Sequence, residues 1–115
     1  MNGPSGDSHD GLDVLHAPFP GAYVLTLRGS ADIVTADGLE DDFARATGSG
    51  LPLIVDLVAL TFGDETLLGL LINARQDAGV ELVGPLSPTF QRRLDTAGLT
   101  AWFTIHPTLS TALNR

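Results

Sequence analysis

The segment Leu53-Ile54-Val55-Asp56-Leu57 does more than any other to limit what this chain can fold into. It is a short apolar run between two segments of helical period, the pattern of a strand buried on both faces in the parallel part of a sheet. A strand that follows one helix and precedes another requires crossover connections, so helices must lie over the sheet. On the N-terminal side, Ala36, Leu39, Phe43 and Ala46 recur at helical spacing. Asp37, Glu40, Asp41 and Asp42 between them are assigned to the wet face, Thr35 to the N-cap and Gly48-Ser49-Gly50 to the stop. On the C-terminal side, a helix from Glu65 to about Asp77 carries Leu67, Leu71, Ala74 and Ala78 on one face, widened by Leu68 and Ile72, with Asp64 as N-cap and Gly79 as terminator.

The remaining elements follow from the same signals. Leu12–His16 and Ala22–Arg28 read as strands around the turn signal Ala17-Pro18-Phe19-Pro20-Gly21, an opening β-hairpin. Val80–Val83 is another strand. Ser87-Pro88 opens a third helix with a cap residue and a proline at the first helical position, and Phe90, Leu94 and Ala97 form its apolar stripe. Gly98 suits the C′ position, with Leu99 folding back on Leu94 in a Schellman end. Trp102-Phe103-Thr104-Ile105 is read as a last strand, Thr108–Leu113 as a terminal helix, and the phenylalanines and Trp102 as core. The order β-β-α-β-α-β-α-(β)-α is an α/β fold: a small mixed β-sheet with about four α-helices packed on it. Residues 1–11, nearly devoid of apolar side chains, are expected to form a flexible N-terminal tail, and 12–115 a single domain.

Charge narrows the function classes. The 115 residues carry 14 acids against 6 arginines and no lysine, a formal charge of −8. Nucleic acid and anionic lipid surfaces need clustered cations, and none are present. With no cysteine there is neither a disulfide framework nor a thiol nucleophile, which suits the cytoplasm. No signal-peptide pattern and no apolar run of membrane-spanning length occurs.

Asp56, Asp64 and Glu65 sit near the end of a strand and the start of the next helix, where open α/β folds place ligands. Three carboxylates there have the chemistry to bind Mg²⁺ or to act as acid and base. The structural reading is preferred: Asp64 as helix cap and Glu65 as a first-turn acid favoured by the helix dipole. His9, His16 and His106 share no ligand spacing with one another or with an acid. Phosphate-loop and nucleophile-elbow motifs are missing, so no cofactor, metal or catalytic residue is expected and the chain does not read as an enzyme.

Four stretches in unbroken order over Leu12 to Leu113 carry a family resemblance: VLTLRGSAD, LIVDLVALTFGDETLLGLL, VELVGPLSPTFQRRLDTAGL and WFTIHPTLSTAL. Together they resemble the STAS domain of bacterial anti-sigma factor antagonists, also called anti-anti-sigma factors. The resemblance implies transcription regulation by protein–protein interaction, the partner being an anti-sigma factor that is also a serine-protein kinase of the ATPase fold. In the family, F-x-D-S-[SA]-G-L carries a serine at the start of a helix; phosphorylating it releases the partner and removing the phosphate restores binding.

Phe62-Gly63-Asp64-Glu65-Thr66-Leu67-Leu68 occupies that place here. Asp64 matches the family aspartate, and Glu65 stands where the phosphoacceptor serine belongs. A serine kinase makes no stable ester of a carboxylate, so the ordinary phosphoswitch is lost or altered. Thr66 offers a hydroxyl displaced by one residue, and Leu67 replaces the usual glycine beside the expected contact patch. The partner-binding set implied by the resemblance is Asp32, Asp56, Gly63, Asp64, Glu65, Thr66, Leu67 and Leu68. Glu65 is open to three readings at this stage: a partial phosphomimetic with one charge where phosphate has nearly two, a device for constitutive binding, or a sign of changed partners. The alternative role within the family is a STAS subunit of a lipid-transport ATPase complex or a stressosome-like scaffold; self-association as a homodimer stays open.

Overall fold

The computed structural model describes residues 5–9 and 11–114. Strands β1 (Ser5–His9), β2 (Leu12–Phe19) and β3 (Ala22–Ala31) form an antiparallel meander. Helix α1 (Ala36–Thr47) crosses to β4 (Leu53–Asp56), followed by β5 (Leu60–Gly63), α2 (Glu65–Ala78), β6 (Val80–Val83) and α3 (Pro88–Thr96). A 3₁₀ turn (Thr100–Trp102), β7 (Thr104–His106) and α4 (Leu109–Leu113) complete the chain. The sheet runs β1-β2-β3-β4-β6-β7, with β5 off this path and paired with β3. All pairings from β3 onward are parallel. This is the mixed sheet with four helices that the element order implies.

Alternation along the strands divides the interior into two layers. Tyr23, Leu25 and Leu27 of β3, Leu53 and Val55 of β4, and Leu82 of β6 join Leu39, Phe43, Leu67, Leu71, Phe90 and Leu94 from the three long helices in the main core. Ala22, Val24, Ile54 and Val83 point the other way, where α4 covers them through Ala112, Leu109 and Leu113. The central strand is therefore buried on both faces, with Leu53, Ile54 and Val55 at most 1% exposed.

Strand β3 changes neighbour partway along. It pairs with β4 through Tyr23–Thr26 and then with β5 from Gly29 to Ala31, with a register shift between Gly29 and Ser30 inside that second pairing. Gly29 makes the shift feasible. Its φ is 106°, and a Cβ there would lie 2.1 Å from the carbonyl oxygen of Gly11, an approach that only glycine permits.

Several sequence expectations are corrected. Ser5–His9, read as part of a tail, pair with β2 in register from Ser5 opposite His16 to His9 opposite Leu12; Met1–Pro4 and Asp10 lie outside the described residues. The first hairpin strand extends to Phe19, because Ala17 and Pro18 continue the ladder and only Pro20-Gly21 turn, and the second, starting at Ala22 as read, runs on to Ala31. Leu60–Gly63 form β5 where a loop was read. The last strand begins at Thr104, after a 3₁₀ turn that leaves Trp102 48% exposed. Phe19 and Phe62 are likewise exposed rather than core, and Ala97 falls outside the α3 stripe.

Asp42, assigned to the wet face of the first helix, is 3% exposed. Polarity misled the reading: an acid is buried when an interior partner receives it. Here His16 of β2, 1% exposed, supplies that partner.

The α3 terminus follows its sequence signal. Leu99 donates its amide to the carbonyl of Leu94 at 2.9 Å and Gly98 donates to Asp95 at 3.1 Å, with Gly98 at φ 71°, the two bonds of a Schellman motif.

Candidate functional site

Strands β3 and β5 end side by side, Ala31 opposite Gly63, so the segments carrying Asp32 and Asp64 adjoin; β4 ends earlier along β3, with Asp56 opposite Thr26. Asp32 is one residue past β3, Asp56 is the last residue of β4, and Asp64 is one residue past β5. Each is tied into its own turn. Asp32 Oδ1 accepts the amides of Val34 at 3.0 Å and Thr35 at 3.3 Å. Thr35 stands at the N-cap of α1 without capping it, because its hydroxyl accepts from the Asp32 amide and donates to the Asp32 carbonyl, both at 3.0 Å. Asp56 Oδ1 accepts the Val58 amide at 3.1 Å.

Asp64 sets where α2 begins. Its backbone is extended, its amide donates to the Ala31 carbonyl at 3.1 Å, and Oδ1 accepts the Thr66 amide at 2.9 Å. The carboxylate thus satisfies one of the amides that a helix start leaves without an intrahelical acceptor. Glu65 follows as the first helical residue, its side chain 81% exposed. Thr66 is half-buried at the second.

The other predicted surface residues turn inward. Leu67 is fully buried and Leu68 is 7% exposed, both in the main core. Gly63 is buried, and a Cβ on it would come within 2.8 Å of the Phe90 ring and 2.9 Å of Leu67 Cδ2. Leu67 therefore fills space beneath the patch instead of crowding it: the third helical position points back into the core, and glycine at 63 leaves it room. The segments that carry Glu65 and the three aspartates also expose apolar side chains. Ile33 is 77% exposed, Val34 69% and Val58 54%, with Phe62 at 37%.

Arg93 belongs to the site but was not identified in the sequence. Its Nη1 donates to Glu65 Oε1 at 2.7 Å. The guanidinium carbon lies 5.9 Å from the centroid of the Phe62 ring, within cation–π range. Nε faces inward and meets no acceptor among the described residues. Glu65, Arg93, Arg92, Leu68 and Thr89 border a shallow cleft of about 360 Å³ between α2 and α3. Nothing in the sequence marks Arg93 beyond its being adjacent to Arg92, and its partner is 28 residues away.

A second polar group lies in the core, away from these loops. His16 Nδ1 shares a hydrogen bond of 2.6 Å with the Tyr23 hydroxyl, and Nε2 lies 2.7 Å from Asp42 Oδ1. With Asp42 ionised its oxygen only accepts, and the proton of this bond then sits on Nε2. This chain joins β2, β3 and α1. Among the described residues no three or more His, Asp or Glu side chains group so as to hold a metal ion, and no helix is long and apolar enough to cross a membrane.

Comparisons with known proteins agree with the fold. A family model described as STAS domain matches residues 18–112. Among solved structures, an anti-sigma factor antagonist from Mycobacterium paratuberculosis is 28% identical, with a TM-score of 0.78 over 93% of this chain and 95% of that one. The anti-sigma factor antagonist SpoIIAA in its unphosphorylated form is 21% identical, with a TM-score of 0.75 over 89% of this chain and 94% of that one. The Bacillus cell fate determinant SpoIIAA in its phosphorylated form gives 0.68 at 21% identity, over 89% and 97%. At 21% these two likenesses bear on the fold alone. Proteins of curated function give no match.

Proposed function

The chain belongs to the STAS domain family, and from that premise we propose that it is a regulatory binding module of the anti-sigma factor antagonist type, working in the cytoplasm. Its partner is an anti-sigma factor with the ATPase fold of a serine-protein kinase. Contact is made through the loops after β3, β4 and β5 and the first turn of α2. Asp32, Asp56 and Asp64 hold the loops in shape, and Glu65 and Thr66 face the partner with exposed Ile33, Val34, Val58 and Phe62. Gly63, Leu67 and Leu68 serve from beneath, as the packing that fixes where Glu65 stands.

One observation carries the proposal. Glu65, the first residue of the helix that Asp64 caps, is 81% exposed next to exposed apolar side chains, and it stands where the resemblance puts the phosphoacceptor. Apolar side chains left in water beside polar groups mark a protein-binding surface. The 28% identical relative, over nearly its whole length, is an anti-sigma factor antagonist.

The test is calorimetric titration with a purified anti-sigma factor of the ATPase-fold kinase type from the same organism. Native protein and Glu65→Ser are compared, each with and without ATP, followed by mass spectrometry. Binding by either form supports the assignment, and mass spectrometry is expected to find no phosphate on native Glu65. Failure of both forms to bind overturns the assignment. A stoichiometric phosphate on Thr66 would instead move the switch one residue along the helix.

A further inference from the structure

Glu65 is not a bare anion, because Arg93 covers it. The 2.7 Å bond between Arg93 Nη1 and Glu65 Oε1 joins the start of α2 to the middle of α3. The arginine is the more fixed member: its side chain is 28% exposed against 81% for Glu65, and its guanidinium lies over Phe62. Holding it there leaves Nε buried without an acceptor among the described residues. The cation is thus preorganised at position 65, and the carboxylate reaches to it from solvent.

Charge arithmetic then decides what the surface presents. A carboxylate of −1 beside a guanidinium of +1 sums to about zero, whereas a phosphoserine of roughly −1.5 to −2 would leave excess negative charge beside the same arginine. We infer that Glu65 and Arg93 form a charge-neutral clasp that keeps the partner surface equivalent to the unphosphorylated, binding-competent state, so that Glu65 makes binding constitutive and does not imitate phosphate. Arg93 is the positioning residue of this device. The inference rests on the proposed antagonist role, in which added negative charge at position 65 releases the partner.

The clasp is tested by binding of the same purified kinase to native protein, Glu65→Ser, Arg93→Gln and the double variant Glu65→Gln/Arg93→Gln. Native protein should bind in the presence of ATP. Arg93→Gln, which uncovers the anion, should bind at least about tenfold more weakly at low salt, with the deficit shrinking as salt rises and screens the exposed charge. The double variant should recover affinity to within about threefold of native, because no anion remains to be neutralised. A direct contact between Arg93 and the partner would not be rescued by removing the carboxylate, so an unrecovered double variant overturns the clasp. Binding by Glu65→Ser but not by native protein also overturns it, in favour of phosphate mimicry. Equal binding by native and Arg93→Gln overturns it by showing that the charge at 65 is not sensed. Failure of all four proteins to bind removes the antagonist role and the clasp together. Circular dichroism melts of each variant separate lost binding from lost folding.

Discussion

His16 and Asp42 show what a buried charge needs. Both are almost fully enclosed, and the carboxylate faces Nε2 while the Tyr23 hydroxyl faces Nδ1. Replacing such an arrangement with apolar groups of matching shape can be harmless, but removing one member leaves the others desolvated for no return. Asp42→Ala should therefore lower the unfolding free energy by about 1 to 3 kcal/mol, read from urea denaturation midpoints. Asp41→Ala, one residue away on the exposed side of α1, should change stability by less than about 0.5 kcal/mol. The contrast also explains what the sequence could not show. Residues 41 and 42 are identical in type, and only the distant His16 distinguishes them. Arg93 has the same history: its meaning comes from Glu65, on another helix. Asp64 and Ser87, by contrast, were legible because a cap acts within its own turn, on the amides of Thr66 and Phe90.

At the level of elements, Gly63 links the end of β5 to the packing of two helices. A methyl group there would meet Phe90 of α3 and Leu67 of α2 at under 3 Å, and a well-packed core yields such space only by shifting. Gly63→Ala should destabilise the fold by about 1 to 3 kcal/mol and weaken partner binding, because the displaced segment carries Asp64 and Glu65. Denaturation and calorimetry measured on the same sample check both effects. The long helices were readable because their apolar periods extend over several turns and their ends carry Asp64, Gly79, Ser87 and Gly98. Strand β5 was not. Its four residues are buried only at Leu60 and Gly63, a pattern without period-two alternation, and its pairing with β3 is a long-range parallel contact.

The whole molecule carries a charge of −8 on 115 residues. Self-repulsion of that size disfavours the compact state and is screened by salt. Raising sodium chloride from about 10 to 150 mM, which shortens the Debye length from roughly 30 to 8 Å, should raise the melting temperature, as followed by calorimetry. Ordering at this scale was the most legible of all. The alternation of strands and helices predicted a mixed sheet because a buried central strand between helices permits few topologies. The change of partner along β3 was beyond reach, since nothing near Gly29 announces that two successive strands will share one edge.

That shared edge has a kinetic consequence. The strand preceding α2 pairs with no strand but β3 among the described residues, whereas β4 lies between β3 and β6 in the through-going sheet. Leu60–Gly63 can therefore part from Gly29–Ala31, releasing the Asp64 amide from Ala31, while the ladder of β3, β4 and β6 remains closed. Amide hydrogen exchange should detect this as a cooperative unit that opens below the global unfolding free energy, with Phe62 and Asp64 losing protection before Ile54 and Val55. Bound partner should slow exchange in that unit first, giving each residue of the segment a clock for how long the surface stays occupied.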